Sequence, residues 1–330
     1  MESLALDAKG PDGQDLTIDI VWIGSPTPER VIVHSSGLHG VEGYAGSAIQ
    51  LQLLRTLPVL PPNAAIVVVH VLNPFGMAWS RRVNEENVDL NRNSIFPPDT
   101  YAGAPEMYAR LDPLLNPPSA PQSDAFLMKV AGVIFRHGFS ALKQAVAGGQ
   151  YEFPRGLFFG GKRLQQSLVL YRRFLQNRVS DAKQILVLDA HTGLGKYGKD
   201  ILLVDSDRLV KASQIFGNRV VPLDPQRSAA YRVRGGLQSL IFGLNTTADV
   251  SFVGQEFGTY HPVRIIQVLR EENRWHQFGN GKLDHPSKRQ IKQMFCPDDE
   301  AWKQSVLARG KEALDRGFHN VFTPDRHIHI

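Results

Sequence analysis

The sequence has one cysteine, Cys296, so no disulfide can close within the chain. Long apolar runs are also missing. The longest, Ala64–Leu72, is interrupted by His70 and falls far short of the roughly 20 residues that a bilayer helix needs. No membrane partner is expected. Met1–Gly10 has no basic start followed by an apolar core, so a secretory leader is not expected, and a reducing, cytoplasmic setting is. An excess of one charge is lacking as well: 37 Lys and Arg against 32 Asp and Glu leave +5. Basic residues come in pairs (Arg81-Arg82, Lys162-Arg163, Arg172-Arg173, Lys288-Arg289) rather than in a run interleaved with aromatics, so nucleic acid is not an expected partner. No Gly-x-Ser-x-Gly elbow occurs, which removes the usual support for serine hydrolysis. Gly193–Asp200 nearly spells a phosphate-binding loop, but it ends in Asp200 rather than Ser or Thr, and a strand-like run follows where a helix is required.

What is present is 330 residues with 42% apolar and 21% charged content, enough for a sizeable core. Strand-like segments are Asp15–Ile23, Val31–His34 and Ala65–Leu72, then Gln184–Ala190, Asp200–Val204 and Val250–Glu256. Helical patterns fall at Ala45–Leu57, Asp207–Phe216 and Pro262–Trp275. This alternation predicts an α/β fold. Seven prolines between Pro97 and Gln122 predict a long irregular excursion inserted at about 97–123, followed by one helix over about 124–147. Glycines at 148–149, 156 and 160–161 then space a loop holding Glu152, Arg155, Lys162 and Arg163, candidates for contact with the distal part of a substrate. Two helices at about 286–320 close the chain, and no boundary divides residues 1–330 into more than one domain.

Chemistry concentrates at the strand ends, where α/β sheets expose functional groups. His39 and Glu42 follow the strand Val31–His34 in a glycine-rich turn, and an imidazole and a carboxylate three apart can converge on one Zn²⁺. The spacing alone equally fits a capping acid beside a hydrogen-bonded histidine. His191 ends the apolar run Ile185–Ala190 and supplies a third donor; its alternative is a core histidine. A His₂Glu set leaves a fourth position for water, as in catalytic rather than structural zinc sites. Between these donors lie Arg81-Arg82 and Val88-Asp89-Leu90-Asn91-Arg92-Asn93, whose guanidiniums suit an anionic substrate or a developing oxyanion, or else a salt-bridge cluster with Glu85, Glu86 and Asp89.

In this order the motifs resemble the zinc carboxypeptidase superfamily, which includes aspartoacylase and succinylglutamate desuccinylase, and more narrowly a bacterial branch of uncharacterised function. The resemblance spans about residues 30–275. It implies a mixed, mainly parallel central sheet flanked by helices and one Zn²⁺ held by His39, Glu42 and His191. It further implies Arg82 at the oxyanion, Asp89 behind His39, Asn91 and Arg92 on a substrate carboxylate, and Glu256 as general base. Glu256 has an alternative as a strand carboxylate paired with Arg264. Val41 stands where digestive carboxypeptidases carry an arginine, and neither Tyr231 nor Tyr260 matches their mobile tyrosine. The expected activity is hydrolysis of an amide bond in a small-molecule or peptide substrate bearing a carboxylate, in the manner of a metallocarboxypeptidase. An N-acyl amino acid deacylase and a non-catalytic metal- or ligand-binding domain are the alternatives.

Overall fold

The computed structural model describes residues 1–223, 233–244 and 246–323. Eight strands form one sheet: β1 (Glu2–Lys9), β2 (Asp15–Gly24), β3 (Arg30–Ser36), β4 (Ala64–His70), β5 (Gln184–Gly193), β6 (Asp200–Val204), β7 (Val220–Pro222) and β8 (Asp249–Gly258). Their order is β1-β2-β4-β3-β5-β8-β6-β7. The central strands β4, β3, β5 and β8 run parallel, while β2 and β6 join them antiparallel on either side. This is the mixed, mainly parallel α/β sheet that the sequence implies.

The helices are α1 (Gly43–Arg55), α2 (Pro74–Ala78), α3 (Glu106–Leu115), α4 (Phe126–His137), α5 (Phe139–Ala147), α6 (Gln166–Val179), α7 (Leu209–Phe216), α8 (Leu237–Phe242), α9 (Pro262–Phe278), α10 (Pro286–Phe295) and α11 (Glu300–Phe322). No helix among the described residues is long and apolar enough to cross a membrane. Successive residues of a strand face opposite sides, so the apolar runs of β3, β4 and β5 feed two cores. Val31, Val33, Val67, Val69 and Val187 pack against α6 and α8, while Ile32, Ile66, Val68, Leu186 and Leu188 pack against α1, α7 and α11. A third apolar cluster, built by α3, α4, α5, α9 and α10, gathers around Val41, just beyond β3.

Three sequence expectations change. The proline-rich excursion contains α3, with Pro105 just before it and Pro113 in its last turn, at the cost of one ladder hydrogen bond near the helix end; Tyr108 and Leu115 anchor it in the third cluster. The helix expected over 124–147 is two, broken at Gly138 with φ of +79°, a conformation costly for other residues. Finally, the strand and helix patterns of the sequence miss β1, β7 and α6. In β1 the alternation Leu4, Leu6, Ala8 is present but sparse, β7 has only three residues, and α6 carries Leu168, Tyr171, Leu175 and Val179 at helical spacing.

Candidate metal centre

The donor-bearing segments meet because β3 and β5 are adjacent and parallel, with Ser35 opposite Asp189 and Ser36 opposite Ala190. The chain leaving β3 delivers His39, then turns through Gly40-Val41-Glu42 into α1. That turn needs glycine at position 40, where a Cβ would lie 2.1–2.4 Å from the backbone of Gly76 and Met77. Two residues apart on β5, Asp189 and His191 share a face, and β8 places Glu256 opposite His191.

His39, Glu42 and His191 are buried and offer their donor atoms to a common point. His39 Nδ1 lies 3.0 Å from Glu42 Oε1, His191 Nδ1 lies 3.5 Å from Glu42 Oε2, and the two Nδ1 atoms are 3.3 Å apart. Donors bound at about 2.0–2.1 Å in a tetrahedron stand about 3.3 Å from one another, so these separations fit a zinc-sized ion. The outer nitrogens face carboxylates: His39 Nε2 lies 3.0 Å from Asp89 Oδ1, and His191 Nε2 lies 2.6 Å from Asp189 Oδ2. With each Nε2–H donating to its aspartate, both Nδ1 lone pairs point at one space and repel each other unless a cation lies between them. Without a cation, His39 has another tautomer in reach, with Nδ1–H donating to Glu42 and Nε2 accepting from Arg82 Nη2 at 2.7 Å.

Charge leads to the same fit. Four carboxylates (Glu42, Asp89, Asp189, Glu256) gather with the guanidiniums of Arg82 and Arg92, and a divalent cation would balance the remainder. Burial raises the pKa of Glu42 and Asp89, but their partners reverse it: His39 and Arg82 lower Glu42, and Arg82, Arg92 and His39 hold Asp89 well below the carboxylate range. Burial by itself would lower His191, yet Asp189, with Glu42 and Glu256, holds it well above the usual imidazole value. Burial and the Glu42 charge raise Glu256, against the pull of His191, His39 and Arg82.

The remaining candidates divide around this centre. Arg82 donates to Glu42 Oε1 at 2.6 Å and to Asp89 Oδ2 at 3.1 Å, and packs over the Phe158 ring. Glu256 is partly exposed, with an oxygen 3.4 Å from the Leu194 amide, and borders two cavities. One cavity also touches Glu42 and Arg82; the other touches His39, His191, Asn91 and Gln238. Arg92 lies in neither cavity: its guanidinium is fully buried and donates to the carbonyls of Ala147 and Asn91. Glu152, Arg155, Lys162 and Arg163 are exposed and border neither cavity. Tyr260 is exposed and stacks edge-on with Tyr197, and Tyr231 falls outside the described residues.

Two further contributors emerge. Ser35 donates to Asp189 Oδ1 at 2.6 Å, completing a chain from Ser35 through Asp189 to His191; strand pairing alone could have signalled it. Phe158 has its ring against both Arg82 and Arg92, with φ of +56°, and nothing local marks it.

Comparison with solved structures finds carboxypeptidase A from Helicoverpa armigera (13% identity, 94% of this chain and 69% of that one, TM-score 0.44). A succinylglutamate desuccinylase/aspartoacylase family protein from Shewanella amazonensis is similar at 16% identity, over 85% of this chain and 73% of that one, with a TM-score of 0.40. Murein-tripeptide amidase MpaA from Escherichia coli O157 is similar at 16% identity, over 81% and 90%, with a TM-score of 0.39. No curated protein matches the sequence. A family described as protein of unknown function (DUF2817) matches residues 1–309, and the chain belongs to that family.

Proposed function

We propose that this chain is a zinc-dependent hydrolase that cleaves an amide bond in a substrate bearing a carboxylate. The observation that carries the reading is the pair of Nδ1 atoms 3.3 Å apart beside Glu42, each ring backed by an aspartate. In the proposal His39, Glu42 and His191 hold one Zn²⁺, which when bound supplies Lewis acidity and lowers the pKa of water. Glu256, at the seam of the two cavities, accepts a proton from the attacking water and later passes it to the leaving nitrogen. Arg82 sets its positive charge beside the developing oxyanion and holds Glu42 in place. Asp89 and Asp189 fix the histidine tautomers. Asn91, with Gln238 across the same cavity, meets the substrate carboxylate, and Arg92 holds the Asn91 segment to the Ala147 carbonyl. The same groups serve a carboxypeptidase or an N-acyl amino acid deacylase; both break a C–N bond, adding water across it.

The test is a screen of the zinc-loaded protein against peptides and N-acyl amino acids with free and blocked carboxylates. Free carboxylates should be preferred. Glu256→Gln should keep one zinc per chain and lose turnover by at least about 10²-fold. His191→Ala should lose both zinc and turnover. A Glu256→Gln protein that turns over at the wild-type rate removes Glu256 from proton transfer.

A further inference from the structure

The cavity that touches Glu42, Arg82 and Glu256 lies among α3, α4, α5 and α9 and has an internal volume of about 130 Å³. Leu111, Val130, Val133, Leu142 and Ile266 are among the side chains that wall it. Lys143 is the single polar side chain that those helices contribute among the described residues. Phe158 lines the cavity as well, with its ring against the Arg82 guanidinium, so the apolar space is continuous with the arginine of the centre. The opposite cavity carries Asn91 and Gln238 and faces the histidines. With a substrate carboxylate at Asn91, the amine half of the reacting amide occupies that polar side. The acyl half, its carbonyl oxygen turned to Arg82, is left to the apolar one.

Size and polarity decide what the apolar side takes. A cavity of about 150 Å³ lined by Leu, Ile and Phe stays dry and accepts a benzene molecule. At about 130 Å³ this pocket matches one phenyl or isobutyl group. A methyl group leaves most of it empty and forfeits dispersion contacts, and a long chain overfills it. A polar group entering it gives up water for helical walls that return no side-chain hydrogen bond except at Lys143. We propose that the acyl half of the substrate carries one small apolar group, of phenyl or isobutyl size, which enters this pocket beside Arg82. That group is either the acyl chain of an N-acyl amino acid or the side chain of the residue before a peptide's last. The amide chemistry rests on the hydrolytic reading above; the occupant of the pocket rests on its volume and lining.

Each methylene buried is worth about fourfold in affinity, and two measurements separate the occupant from the chemistry. In the first, fluorobenzene is titrated into the wild-type protein and into His191→Ala and followed by fluorine NMR, with toluene and succinate as competitors. Both proteins should bind it, toluene should displace it, and succinate should not. Val133→Trp and Leu142→Trp, each checked for an unchanged melting temperature, should weaken it by at least about tenfold, whereas Lys143→Met should not weaken it. In the second, one amino acid from the screen above is N-acylated with acetyl, isovaleryl, phenylacetyl, succinyl or dodecanoyl groups, beside peptides that place leucine or glycine before the same residue. kcat/KM for isovaleryl and phenylacetyl should exceed that for the other three by at least about tenfold, and leucine should exceed glycine in any peptide that is cleaved. Leu142→Ala, which enlarges the space, should shift the preference from phenylacetyl toward naphthylacetyl. Cleavage confined to the acyl compounds or to the peptides names the source of the group. Absent fluorobenzene binding, wild-type affinity in both folded tryptophan variants, displacement by succinate, or faster turnover of succinyl or dodecanoyl substrates overturns the proposal. Intact binding with no hydrolysis of any compound retains the small apolar ligand and removes the hydrolytic reading instead.

Discussion

At the residue scale, what distinguishes the centre is the backing of its donors. Asp89 and Asp189 are fully buried, and each orients a ring nitrogen that faces away from the common point. Asp89→Asn keeps the shape of the side chain but gives up its charge, so zinc affinity should fall by about 10–100-fold with the fold retained, as read by competition with a chelating dye. A third buried histidine, beside His39 and His191, behaves differently. His34, on β3, is held to a pKa of about 4 by burial, against the opposing pull of Asp189. It folds neutral, and its unfolded form takes up a proton below about pH 6.5. The stability it permits is thus full above pH 6.5 and is lost as pH falls toward 4. At about 1.4 kcal/mol per unit, the loss approaches about 3 kcal/mol. Replacing it by glutamine should flatten the difference in denaturant stability between pH 7 and pH 4; equal slopes in both proteins would count against this linkage.

At the element scale, the turn from β3 into α1 controls the site through one close approach. Gly40 packs on the backbone at Gly76, the start of α2 being held there by the Asn73 side chain, which accepts from the Gly76 amide at 2.8 Å. Gly40→Ala should cost about 1–3 kcal/mol by overpacking. Because His39 and Glu42 flank that glycine, the same change should weaken zinc binding, measured by denaturation and metal titration on one preparation. The histidine–glutamate spacing and the apolar run into His191 were legible as sequence because each is local: a turn after a strand, and a strand ending in a donor. The break at Gly138 was less so, since glycine inside a helical pattern is often tolerated and only its positive φ reveals the bend.

At the scale of the whole molecule, zinc would tie the β3–α1 turn to the end of β5, segments about 150 residues apart in sequence. An ion that binds only the folded chain stabilises it by mass action, about 2.7 kcal/mol at a free concentration one hundred times Kd. Chelation should therefore lower the melting temperature of the wild-type protein and leave that of His191→Ala unmoved, in calorimetry with and without added zinc. The sequence by itself determined the α/β class, the donor types and their arrival at strand ends, because apolar periodicity and turn residues act over a few positions. Only the tertiary structure decided that Arg92 turns its guanidinium to the Ala147 carbonyl, and that Glu256 stands at the seam of two cavities. The same holds for the apolar space walled by α4, α5 and α9. Each depends on which distant surfaces pack together, and groups 55 or more positions apart meet through burial and shape, which no local pattern encodes.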